Sequence, residues 1–129
     1  MRTSIVLDQG KQAWPIIISQ YASFFLAIQY RDNDHSIIPL TNYTAKMEIR
    51  KTTDSNDPPI ITLEIGSGLE IDGPNGLVLI TITDEQTADF PEIGGQNQGR
   101  WDLLITDASG FVTKLLYGPV TVLGTVTKP

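Results

Sequence analysis

The chain has a single histidine, His35, and no cysteine. Cysteine nucleophiles, thiolate metal sites and disulfides are therefore excluded. A serine triad needs a histidine held by a carboxylate beside the nucleophile. His35 sits in Asp32-Asn33-Asp34-His35-Ser36, a composition that a turn already explains, so no catalytic role is expected of it. Asp32 and Asp34, and a second cluster Asp54-Ser55-Asn56-Asp57, offer hard oxygen ligands of the kind calcium takes. The helix-loop-helix calcium template wants Gly at the sixth position and Glu at the twelfth, but Ile37 and Tyr43 stand there. Neither cluster completes a coordination set, and no metal or other cofactor is expected.

The carboxylate pairs Asp84 with Glu85 and Asp89 with Glu92 could in principle share acid and base work as in glycosidases. Acids at a helix start have a simpler explanation in the helix dipole. Gly94-Gly95-Gln96-Asn97-Gln98-Gly99 is glycine-rich, yet it leads into a strand and opens no helix, so it lacks the geometry of a phosphate loop. Asn42-Tyr43-Thr44 matches a glycosylation sequon, which carries meaning only on a secretory route. Trp14 and Tyr117, if exposed, would make a stacking platform for sugars; in apolar strands such aromatics more commonly pack in the core. The chemical inventory is that of a non-enzyme.

The elements that would hold these residues are strands, because apolar residues recur with a period near two almost throughout. Tyr43, Ala45, Met47 and Ile49 alternate with Thr44, Lys46, Glu48 and Arg50. Residues 60–65, 77–83 and 101–106 repeat the pattern, and further strands are expected at 4–8, 14–18, 23–30, 110–117 and 119–126. The strand phases place Met47, Ile49, Leu63, Ile80, Ile82, Trp101, Leu103 and Ile105 in the core. Asp107-Ala108-Ser109-Gly110 has the chemistry of a type I turn followed by a left-handed glycine. Asp72-Gly73-Pro74-Asn75-Gly76 and Asp32-Asn33-Asp34-His35 are turn clusters as well. One helical turn is predicted at Thr83-Asp84-Glu85-Gln86-Thr87-Ala88, where Thr83 and Gln86 have capping-box spacing and Pro91 prevents continuation. Short strands with one late helical turn predict an all-β, antiparallel, immunoglobulin-like sandwich of seven to nine strands, without the disulfide common in that class.

At 129 residues the chain fits one domain spanning 1–129, and with 40% hydrophobic and 19% charged residues it can bury a core unaided. A net charge of −6 argues against binding a nucleic-acid backbone. No apolar run approaches the roughly 20 residues that cross a bilayer as a helix, so neither nucleic acid nor membrane is expected as a partner. The charge is polarised: from Lys51 to Arg100 no basic residue intervenes among nine acids. Such a face either aids solubility or orients a basic partner.

Three segments carry a resemblance to a known class. They are Leu40-Thr41-Asn42-Tyr43-Thr44-Ala45-Lys46-Met47-Glu48-Ile49-Arg50, then Gly99-Arg100-Trp101-Asp102-Leu103-Leu104-Ile105-Thr106-Asp107 with Gly110, then Leu115-Leu116-Tyr117-Gly118-Pro119-Val120-Thr121-Val122 with a closing Val126-Thr127-Lys128. Over about residues 20 to 129 this pattern resembles small structural domains of tailed phages, similar to the N-terminal immunoglobulin-like domain of siphophage upper baseplate proteins. The resemblance implies a multi-copy virion protein joined to tail, baseplate or fibre components by protein contacts, with no cofactor and no enzyme activity. A capsid decoration protein and a host-glycan binding module are the alternatives.

Residues 1–30 depart from that pattern, and within them residues 1–19 carry Trp14, Ile16, Ile17 and Ile18 beside Ile5, Val6 and Leu7. So apolar a segment needs cover. Either it is the first strand of its own domain, or it is an assembly arm that adds to the exposed sheet edge of a neighbouring subunit.

Overall fold

A computed structural model describes residues 2–8, 12–32, 34–52, 58–94 and 99–128, with side chains from Ala13 onward. Ten strand segments and one short helix follow in chain order: β1 (Arg2–Asp8), β2 (Gln12–Ala13), β3 (Ile16–Ser19), β4 (Phe24–Arg31), β5 (Thr44–Arg50), β6 (Ile61–Ile65), β7 (Gly68–Asp72), β8 (Leu77–Ile82), α1 (Asp84–Ala88), β9 (Gly99–Thr106) and β10 (Val112–Leu123). They join one hydrogen-bonded sheet in the order β1-β4-β8-β7-β6-β5-β9-β10-β2, with β3 also on β10. The sheet curls into a nearly closed barrel around a single apolar core.

The strands form where the alternation placed them, because one face of each can be buried. Met47 and Ile49 on β5, Leu63 on β6, Ile80 and Ile82 on β8, and Trp101, Leu103 and Ile105 on β9 all lie in that core. Each such side chain removes enough apolar surface from water to contribute about 1.5–3 kcal/mol. The helical turn also forms as read. Thr83 accepts a hydrogen bond from the Gln86 amide at 3.2 Å, and the Gln86 side chain accepts from the Thr83 amide at 2.9 Å, which closes the capping box.

Three strands differ from the sequence reading, the two-residue β2 at Gln12–Ala13 among them. β7 was not predicted, since Leu69 and Ile71 are too few to establish a period. β10 runs unbroken from 112 to 123, where the sequence reading has two strands, 110–117 and 119–126, separated at Gly118. Pro119 is tolerated there because its nitrogen faces the break between β2 and β3, where the parallel ladder skips from Tyr117 to Val120. A bulge between Lys114 and Leu116 shifts the register of β10 against β9. The shift turns both Leu115 and Leu116 inward and changes the phase of all that follows.

The wholly antiparallel arrangement expected from the turns is corrected by the sheet, which is mixed. β1 is parallel to β4, β2 and β3 are parallel to β10, and β6 is parallel to β7. The last of these arises from a sideways jog instead of a hairpin. After Ile65 the chain steps through Gly66 (φ 84°), Ser67 and Gly68 (φ 96°) and continues in the same direction one strand over. Only glycine takes such φ values without cost. A Cβ at Gly68 would also lie 2.6 Å from Leu63 Cδ2 and 3.1 Å from the Thr81 carbonyl oxygen.

Candidate functional site

Three places gather the side chains that could act on a ligand or partner: the turn holding His35, a charged groove on β5, β9 and β10, and the N-terminal run laid along β10.

In the first, Asp32 organises the backbone. Its Oδ1 accepts from the amides of Asp34 at 2.9 Å and Ser36 at 3.0 Å, and the His35 amide donates to the Asp32 carbonyl at 3.0 Å. His35 itself is exposed in the left-handed region (φ 62°), and its carbonyl accepts from Arg31 Nη1 at 2.9 Å. The carboxylate that a triad or a cation would use is thus engaged in shaping a turn. The cluster 54–57 lies outside the described residues, as does most of the glycine-rich run at 95–98. Among the described residues no group of three or more His, Asp or Glu converges as metal ligands would.

The groove, of about 370 Å³, is lined by Glu48, Arg50, Arg100, Asp102, Lys114 and Tyr117 among others. Its floor follows from strand alternation, because every second residue of β5 and β9 faces outward, and along the groove those residues are Glu48, Arg50, Arg100 and Asp102. Arg50 Nη2 meets Glu48 Oε1 at 2.9 Å, and Thr62 Oγ1 donates to the other Glu48 oxygen at 3.2 Å. The Arg50 hydrogen bond, foremost, holds the Glu48 carboxyl below its ordinary range. Lys114 Nζ lies 3.4 Å from Asp102 Oδ2 on a well-exposed surface, where such a pair contributes little. These pairings engage both acids, Glu48 and Asp102, of a polar face that also carries the bases Arg50, Arg100 and Lys114. Core packing, the commoner fate of such aromatics, holds for Trp14, which is half-buried against the core, whereas Tyr117 points outward beside Ala13, so the two make no joint stacking platform.

The N-terminal run is built into this subunit. The Trp14 amide donates to the Tyr117 carbonyl at 2.8 Å, and the Trp14 carbonyl accepts from the indole Nε1 of buried Trp101 at 2.8 Å. Gly118 makes this approach possible, since a Cβ there would lie 2.8 Å from the Trp14 carbonyl carbon. β3 then follows β10 in register, Ile16 opposite Val120 and Ile18 opposite Val122. Of the four residues singled out in the sequence, Ile16 and Ile18 are core, Trp14 is half-buried against it, and Ile17 is 64% exposed.

Sequence reasoning passed over residues that lock the far end. Thr87, the one buried polar residue among those described, donates to the Ala22 carbonyl at 2.9 Å and so ties α1 to the β3–β4 turn. Gln20 Nε2 donates to the Phe90 carbonyl at 2.6 Å, and Thr125 Oγ1 to the Gln20 carbonyl at 2.5 Å. Local patterning gives no sign of partners 65, 70 and 105 residues apart.

No family model and no curated protein matches this sequence. Among solved structures, the chain is similar in fold to the N-terminal domain of phage TP901-1 ORF48, with a TM-score of 0.57 at 10% identity. The match covers 95% of this chain and 99% of that domain.

Proposed function

We propose that this chain is a non-enzymatic structural protein of a tailed-phage virion, a tail, baseplate or fibre-attachment subunit that acts through protein contacts and is present in many copies. The observation that carries the reading is the near-complete mutual coverage with a phage domain.

The strand order also supports the immunoglobulin-like form of the fold. β3-β10-β9-β5-β6 can form one layer and β4-β8-β7 the other, joined by the 20–23 turn on one side and the glycine jog on the other. In this reading the acids at Glu70, Glu85 and Asp89, which line a shallow depression between α1 and β7, present a negative face to basic neighbours.

The test is the protein inventory of purified phage particles encoded together with this chain, with its position located by electron microscopy. Multiple copies at the tail or baseplate are expected. Density on the capsid shell would give the decoration alternative, and absence from particles would overturn the proposal.

A further inference from the structure

We infer that β3 is a dimerisation edge, along which two copies of this chain pair antiparallel about a twofold axis at Ile17. This stands independently of the virion reading. β3 lies on β10, and among the described residues no strand runs along its other side. The direction of its free groups follows from the ends of the ladder. Trp14 donates its amide to Tyr117 and Gln20 donates its amide to Leu123 at 2.9 Å, so the even-numbered residues face β10. Pro15, Ile17 and Ser19 then turn their backbone groups to the open side.

Those three residues complement themselves. With Ile17 opposite its own counterpart, Pro15 stands opposite Ser19. Each Ile17 amide donates to the Ile17 carbonyl of the second copy, and each Ser19 amide donates to the Pro15 carbonyl. The two remaining groups need no partner there. Proline has no amide hydrogen, and the Ser19 carbonyl already accepts from the Ala22 amide at 3.3 Å.

The surroundings identify the occupant as a second copy. Two chains of net charge −6 repel wherever their acids meet. The outward positions of this ladder, Ala13, Pro15, Ile17 and Ser19 beside Tyr117, Pro119, Thr121 and Leu123, carry no charge at all. Ile17 at 64%, Leu123 at 48% and Tyr117 at 40% exposure make the strip apolar. Edge strands that must stay single are guarded by charge or proline; residues 12–19 contain no charge, and their one proline, Pro15, falls where the opposing Ser19 carbonyl is already bonded.

Sedimentation equilibrium of the whole chain is expected to show a species of twice 14.2 kDa. Ile17→Asp is expected to leave the chain folded, with the same far-ultraviolet spectrum, and to abolish the dimer. Because the chain has no cysteine, I17C supplies a lone thiol. Across a hydrogen-bonded antiparallel pair the Cα separation of about 5.5 Å lies within disulfide reach. Mild oxidation should therefore cross-link I17C far faster than A108C, placed on the distant β9–β10 turn. A wild-type chain that stays monomeric at every concentration, a dimer that survives Ile17→Asp, or equal cross-linking of I17C and A108C would each overturn the inference. If Ile17→Asp fails to fold, the cross-linking comparison decides.

Discussion

Leu103 sits at the centre of β9 with no exposed surface, flanked by Met47 on β5 and Leu116 on β10. Leu103→Ala is expected to cost about 2–5 kcal/mol, read as a shift of the denaturation midpoint at unchanged slope. A titratable effect is expected at Glu48. Its carboxyl is held below the ordinary value near 4.5, so around that pH the folded chain binds fewer protons there than the unfolded one. The resulting stability is fully present above that value and is lost as pH falls through the lower folded-state pKa. Glu48→Gln should therefore make the melting temperature less dependent on pH below about 4.5, by a small margin because the pair is partly exposed. Asp107 has the same sign: the Ser109 hydroxyl first, then the Phe111 amide, hold its carboxyl low.

Elements in this fold are limited by their joins. The β6–β7 jog rests on Gly68, whose left-handed φ and close approach to Leu63 leave no room for a side chain. Gly68→Ala is expected to destabilise well beyond Gly66→Ala, although both positions have positive φ, because a Cβ at Gly66 would meet open space. Comparing the two melting temperatures separates steric cost from backbone strain. At the other join, α1 depends on its cap. Thr83→Ala should cost about 0.5–2 kcal/mol in chemical denaturation, since it removes the acceptor for the Gln86 amide.

The whole molecule needs its N-terminal run. Deleting residues 1–19 would remove Ile16 and Ile18 from the core and leave the Trp101 indole without the Trp14 carbonyl. Loss of the folded near-ultraviolet signal is expected, whereas a truncated chain that folds but no longer joins particles or oligomers would show an assembly arm. Chelators should leave the melting temperature where it is. A rise of several degrees on adding calcium would instead reveal a bound cation through ligand linkage.

Much of this was legible along the chain because it depends on short range. A period of two, a Thr-x-x-Gln cap and an Asp-x-x-Gly turn act within a few residues, so the strands at Met47, Leu63, Ile80 and Leu103, the helical turn at 84 and the hairpin at 107 follow from local chemistry. The single histidine and the absence of cysteine likewise narrowed the chemistry before any fold was known. What patterning could not show is which edges meet. The parallel seating of β3 on β10, the jog that puts β7 beside β6, and the bulge that turns Leu115 and Leu116 inward together depend on strands distant in sequence. Trp14, Ile16, Ile17 and Ile18 read as one apolar block in the sequence. Only the opposing β10 sorts them into a half-buried clasp, two core residues and one outward side chain, because a strand acquires an inside and an outside when it is given a neighbour.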